Sequence, residues 1–170
     1  NHEIPGGRMR TLIASMDKNG LIGNSTGLPW HVPDELKFFK RSTFDQVVIM
    51  GRNTWESLPN KPLARRVNVV VSTTMGDTKR YDKLKVVSSV EAAIGWAEWQ
   101  FYNKELFIIG GARVYESALK ASLVDRLLIS HMMGDYEGDV YFPCLDYQKD
   151  FPVKRTVYTH ADFITMEYTR

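Results

Sequence analysis

Three stretches of this sequence set residue types at spacings that could do chemistry. The first is Pro33-Asp34-Glu35-Leu36, which opens a helical pattern running to Ser42. Helical spacing puts Val32, Glu35, Leu36 and Phe39 on one face, while Lys37, Lys40 and Arg41 point elsewhere. A carboxylate inside an apolar stripe has two readings. It is a first-turn acid favoured by the helix dipole, or a half-buried acid of raised pKa that holds a polar group in an otherwise apolar pocket. Asp34 competes, but it lies about 100° round the helix, toward solvent. Glu35 is the preferred candidate.

The other two stretches are junctions from a strand through glycine into a helix: Met50-Gly51-Arg52-Asn53-Thr54 and Ile109-Gly110-Gly111-Ala112-Arg113-Val114-Tyr115. Such a junction aims free backbone N–H groups outward, and an adjacent Arg adds a mobile cation, so each can hold a phosphate. Either alone is also an ordinary turn. Two in one chain point to a ligand with more than one phosphate, lying across strand ends as open α/β sheets prefer. Neither matches G-x-G-x-x-G, so the usual dinucleotide fingerprint is absent. The four histidines, His2, His31, His131 and His160, show no ligand spacing and adjoin no nucleophile motif, so neither a metal nor a covalent nucleophile is expected. Cys144, after Pro143, reads as a bystander, and Trp96 and Trp99 read as packing residues.

Elements able to position these groups alternate along the chain. Short β-branched runs predict eight strands: Thr11–Met16, Val47–Met50, Val67–Ser72, Lys85–Ser88, Glu105–Ile109, Leu127–His131, Val153–Thr159 and Phe163–Tyr168. Helical patterns fill Pro33–Ser42, Thr54–Leu58, Ser89–Gln100 and Ala112–Lys120, with capping-box spacings at Asn53 to Glu56 and Ser88 to Glu91. The expected fold is α/β: one eight-stranded, mixed, mostly parallel sheet with four flanking helices. No helix separates the last two strands, so a C-terminal antiparallel hairpin is predicted. The stretch Asp17 to Val32 reads as a loop, and its Leu28 and Trp30 mark it as one that covers something.

Length and composition bound the rest. A chain of 170 residues is expected to form one domain, burying roughly 70% of its unfolded surface. Twenty-two Lys and Arg against 20 Asp and Glu leave +2, no global field for nucleic acid or an anionic membrane. Apolar runs fall far short of the ~20 residues that span a bilayer. One cysteine excludes an internal disulfide and suits a reducing compartment. Residues 1–8 read as an appended or disordered tail and are set aside. With no secretory pattern in view a cytoplasmic location is expected, and with no large apolar helical face left unexplained a monomer is expected.

The order of motifs is specific: Ile22-Gly23, Leu28-Pro29-Trp30, Pro33-Asp34-Glu35-Leu36 with Phe39-Lys40, Met50-Gly51-Arg52-Asn53-Thr54-Trp55-Glu56-Ser57, Ile109 to Tyr115, and Glu137-Gly138-Asp139-Val140-Tyr141-Phe142-Pro143. From Met9 to Arg170 the chain resembles dihydrofolate reductase of the bacterial chromosomal type. The resemblance implies hydride transfer from NADPH to C6 of 7,8-dihydrofolate with protonation at N5, giving tetrahydrofolate for one-carbon metabolism. Antifolate inhibitors are expected partners too. Residues 9–170 would form the domain, with residues 46–104 as its adenosine-binding part.

Residue by residue, the resemblance makes Glu35 the acid that grips the pterin's 2-amino group and N3, where many bacterial members carry Asp. Trp30 would hold a water near the pterin oxygen, and Ser130 stands where a Thr hydroxyl usually bonds the acid. Ile13, Ser15, Leu36, Phe39, Leu58 and Leu63 would line the folate slot. Arg66 would pair with the glutamate tail; the family's Pro-Leu-Pro-Gly-Arg reads Pro62-Leu63-Ala64-Arg65-Arg66 here, which leaves Arg65 open as the alternative. Arg52, Ser72 and Thr73 would meet the 2′-phosphate of NADPH. Asn53, Thr54, Gly111, Arg113 and Val114 would cradle its pyrophosphate, and Gly51, Gly110 and Ala112 would also bind the cofactor. Ala14, Ile22, Ile109 and Tyr115 would pack around nicotinamide, with the Gly110–Gly111 peptide cis. The loop Asp17 to Leu28 would be the lid, touched by Asp139 when closed. Two rivals share parts of this pattern. A pyrimidine reductase of riboflavin synthesis would not turn over dihydrofolate, and a silent binding module would bind NADPH without oxidising it.

Overall fold

The computed structural model describes residues 9–23, 27–76 and 81–170. The expected tail at residues 1–8 lies outside the described residues, as do residues 24–26 of the expected lid. The elements follow the order β1 (Arg10–Met16), β2 (Leu21–Gly23), α1 (Pro33–Thr43), β3 (Val47–Gly51), α2 (Arg52–Ser57), β4 (Val67–Val71), β5 (Leu84–Val87), α3 (Val90–Gln100), β6 (Leu106–Gly110), α4 (Ala112–Lys120), β7 (Arg126–Met132), β8 (Val140–Tyr141), β9 (Val153–Thr159) and β10 (Phe163–Thr169).

Eight strands form one sheet in the order β5-β4-β3-β6-β1-β7-β10-β9, in which β10 runs antiparallel to both its neighbours and the remaining pairings are parallel. This is the predicted architecture. Strand β3 shows why the sequence folds this way. Its Val47, Val48, Ile49 and Met50 are completely buried, as a central parallel strand covered on both faces must be. Val47 and Ile49 join the core under α3 and α4, while Val48 and Met50 face the opposite side with Trp55 and Phe107.

Helix α3 buries Val90, Ala93, Ile94 and Ala97, one stripe at helical spacing. Its cap is Ser89, whose Oγ accepts from the Ala92 N–H at 3.0 Å, one residue later than the expected box at Ser88. The expected box at Asn53 is also corrected. Helix α2 starts at Arg52 with Gly51 as its cap, and no side chain caps it. Trp99 is corrected as a packing residue: it is 82% exposed, whereas Trp96 packs edge-on to Phe101 against the core.

The Asp17–Val32 loop holds a strand that its sparse periodicity hides. β2 pairs antiparallel with β8, and Phe142 N–H donates to Gly20 O at 2.8 Å. The turn into β2 is tied by Asp17, whose Oδ1 accepts from the N–H groups of Asn19 and Leu21, both at 2.9 Å. Trp30 is buried with Val32, Met132 and Phe163 in a cluster of its own. Leu28 stays half exposed on the rim of the cleft described next.

Candidate active site

The chain enters β6 between β3 and β1, so the C-terminal ends of these three strands open a crevice at a crossover switch point. The crevice has a volume of about 1370 Å³. Strand β1 contributes Ile13, Ala14 and Ser15 to one wall, and α1 lays Glu35, Leu36, Phe38 and Phe39 along it.

Helix α1 begins on extended Val32 with Pro33 in its first turn, a position where the missing N–H costs nothing. That start turns Glu35 inward and leaves Asp34 on the outer side, where His160 Nε2 meets its Oδ2 at 2.8 Å. Glu35 is only 6% exposed. Its Oε1 accepts a hydrogen bond from Ser15 Oγ, while Oε2 is buried without a partner among the described residues. Burial pushes the Glu35 carboxyl above the usual carboxylate range, and the Ser15 hydroxyl opposes that shift. Behind it, Tyr115 donates to Ile13 O at 2.8 Å, and burial, aided by the charge of Glu35, keeps the phenol neutral.

The expected hydroxyl partner of the acid is placed differently. Ser130 lines the crevice, yet its hydroxyl pairs with Thr165 Oγ1 of β10 at 2.7 Å rather than with Glu35. The register of β7 and β10 sets these two residues opposite each other, so the nearer hydroxyl is across the sheet. Trp30 stands behind the crevice wall, edge-on to Tyr136, and its Nε1 is the other buried side-chain polar atom without a partner among the described residues.

At the opposite wall, adjacent parallel strands β3 and β6 end in glycine. Helices α2 and α4 start from Gly51 and Gly111, neither with a side-chain cap, so their first N–H groups face the crevice. A Cβ added at Gly51 would meet Val114 Cγ2 at 3.1 Å. Gly110 has φ +117°, and an added Cβ there would sit 3.2 Å from the Tyr115 ring. The Gly110–Gly111 peptide is cis, as is Lys61–Pro62. Arg52 is poised on the rim, donating from Nη1 to Thr74 Oγ1 at 2.7 Å and from Nε to Glu56 Oε1 at 3.3 Å. Ser72 Oγ accepts from the N–H groups of Thr74 and Met75, which shapes the loop beside Arg52. A cation among hydroxyls, next to two uncapped helix starts, suits a dinucleotide carrying an extra phosphate.

The crevice gathers Ile22, Leu58, Leu63, Asn53, Thr54, Thr73, Ile109, Ala112 and Arg113 with the residues above. Of the predicted site residues, Trp30 and Arg66 do not line it. Arg66 is nevertheless buried, at 6% exposure, and borders a second cavity of about 470 Å³ near Asp45 and Lys104. Its Nε donates to Ala64 O at 2.9 Å and its Nη1 to Thr43 Oγ1 at 3.1 Å, with no carboxylate among these partners. Arg65 is exposed, at φ +60°, and its guanidinium is spent on Asp45 at 3.2 Å. Sequence reasoning missed Phe38, Thr74, Ser89 and Glu91 on the crevice wall, and Thr165 behind it. Thr165 carried no signal, because only the β7–β10 register brings it to Ser130.

An α/β sheet whose strand ends hold one buried acid on an apolar wall and two glycine-headed helices on the other defines a class: enzymes that set a flat heterocycle against a dinucleotide. Comparison with known proteins narrows it. The family profile described as dihydrofolate reductase matches residues 9–169, and the chain belongs to that family. It is 39% identical over 133 residues to dihydrofolate reductase of Buchnera aphidicola subsp. Acyrthosiphon pisum, covering 78% of each chain. It is 37% identical over 150 residues to the Schistosoma mansoni enzyme, covering 81% of this chain and 80% of that one. Among solved structures, dihydrofolate reductase from Enterococcus faecalis, complexed with NADP(H) and RAB-propyl, superposes with a TM-score of 0.79 at 27% identity. That match covers 95% of this chain and 96% of the other.

Proposed function

We propose that the crevice of this NADPH-dependent dihydrofolate reductase is divided between a pterin end on Glu35 and a dinucleotide end on Gly51, Arg52, Gly110 and Gly111. The observation that carries the reading is the Glu35 carboxyl: buried in an apolar wall, one oxygen held by Ser15, the other unpaired among the described residues. A buried acceptor is costly unless something donates to it. The 2-amino group and N3 of a pterin offer two adjacent donors. Glu35 fixes the ring there, and its charge favours protonation at N5, an atom it does not touch. NADPH, when bound, supplies the hydride that C6 accepts. Trp30 Nε1, buried and unpaired among the described residues, holds a water near the pterin oxygen.

The apolar side chains Ile13, Leu36, Phe39, Leu58 and Leu63 flank the rest of the substrate. Arg66 receives the glutamate tail. It rests on Thr43, eight residues along α1 from Glu35, which separates the two anchors by about 12 Å of helix. Burial without a carboxylate partner supports Arg66 over Arg65, because a desolvated guanidinium gains most from a bidentate anion. On the other side, Arg52 with Ser72 and Thr73 receives the 2′-phosphate. The first turns of α2 and α4, through Asn53, Thr54, Ala112, Arg113 and Val114, take the pyrophosphate. Ala14, Ile22, Ile109 and Tyr115 shape the nicotinamide slot. Residues 46–104, carrying β3 to β5, are the part that holds adenosine.

The lone Cys144 suits the reducing cytoplasm. No helix among the described residues is long and apolar enough to cross a membrane. Antifolates that present a protonated heterocycle to Glu35 are expected inhibitors.

A steady-state assay following NADPH consumption tests the assignment. Glu35→Gln should cut dihydrofolate reduction by about 10²–10³-fold while NADPH affinity is unchanged. Undiminished turnover in that variant would remove Glu35 from the mechanism.

A further inference from the structure

We propose that Ser15 is the positioning residue of the site: its hydroxyl donates into Oε1 of Glu35, fixing the carboxylate and leaving Oε2 as the acceptor that the substrate's donors can take up. This rests on the reading of Glu35 given above and extends it. Three observations converge on Ser15. The side chain lies on the crevice wall at the end of β1, with no other hydrogen bond competing for its proton among the described residues. The hydroxyl that the family resemblance assigns to this task, at Ser130, is engaged across the sheet with Thr165. The second oxygen of Glu35 has no partner among the described residues, so the orientation of the whole carboxyl about its last torsion is set from Oε1 alone.

An O–H donor stabilises the ionised carboxylate more than the acid, so Ser15 also counters the effect of burial on Glu35. The charged and titratable groups on neighbouring elements leave Ser15 in that role. Tyr115, from α4, is held neutral and gives its proton to Ile13 O. Asp17, following β1, has Oδ1 committed to backbone N–H groups. His131, from β7, pairs with Tyr168 and is kept toward its neutral form by burial. On α1 itself, Asp34 is turned outward to Lys37 and His160. Arg113, at the start of α4, belongs to the opposite wall of the crevice.

The test is a titration of the Glu35 side-chain carboxyl by carbon-13 NMR on the full chain without ligands, the resonance being assigned by its loss in Glu35→Gln. Ser15→Ala should raise the midpoint of Glu35 by about one pH unit, a tenfold change in proton affinity. Ser15→Thr, which keeps the hydroxyl in an open part of the wall, should restore it. In parallel, Ser15→Ala should weaken dihydrofolate binding about tenfold with NADPH binding unchanged. A midpoint unmoved in Ser15→Ala overturns the proposal, as does equal weakening of both ligands, which would mark a general loss of structure. Failure of the Glu35 assignment itself reads differently: Glu35→Gln would then keep its turnover, whatever Ser15 does to the titration.

Discussion

Glu35 joins a cost to a use. In the folded chain its carboxyl binds a proton more tightly than in the unfolded chain, because burial disfavours the charge. The unfolded state therefore loses its proton first as pH rises from about 4.5, and stability falls from there until the folded pKa is passed, then levels off. Replacing the acid with a neutral amide of the same shape removes that penalty. Glu35→Gln should be more stable than the parent at pH 8, by about 1.4 kcal/mol for every tenfold by which folding tightens the proton on Glu35, with no difference at pH 4. Urea denaturation at the two pH values checks this. A variant that loses its chemistry while gaining stability is the signature of a site held under strain of charge. In the sequence this residue was legible because its helical neighbours Val32, Leu36 and Phe39 are apolar. What the sequence could not tell was which hydroxyl meets it. Ser15 and Ser130 lie opposite each other on adjacent strands β1 and β7, and only the packing of α1 and β10 chooses between them.

At the scale of elements, the long runs were legible and the short ones were not. Strands such as β3 and β6 are continuous apolar runs bounded by glycine, and α3 repeats its buried positions with helical period. Strands β2 and β8 are three and two residues long, too short for any period to register. They exist because backbone groups near Gly20 and Phe142 pair across space. The same reasoning locates their weakest support. Asp17, 3% exposed, holds the turn into β2 with two bonds from one oxygen. Asp17→Ala leaves two N–H groups without their acceptor and should cost about 2 kcal/mol. Hydrogen exchange should speed up at Asn19 and Leu21 before it does in β3. Across the sheet, Thr165→Val keeps the shape of a fully buried side chain but strands the Ser130 hydroxyl. A loss of about 1–2 kcal/mol in chemical denaturation is expected, with the fold intact by circular dichroism.

The molecule as a whole balances two glutamates with opposite tendencies. Glu167, on β10, is gripped first by Arg155 and also by Arg126, and its carboxyl sits below the usual range. Its contribution is present above about pH 4.5 and is lost as pH falls through the depressed folded value. Glu167→Gln should therefore flatten the acid limb of the stability profile and leave the alkaline side of the Glu35 effect in place, read as thermal midpoints between pH 3 and 8. The net charge of +2 gave no hint of either group, since pairing and burial are properties of the fold. Strand β10 also carries a consequence in time. It is the last of the described strands in chain order, yet it lies inside the sheet between β7 and β9 and supplies Thr165, which pairs with Ser130 behind the crevice wall. A ribosome that has delivered everything through β9 has delivered a sheet with a missing plank, so β9 waits for β10 to join it to the rest.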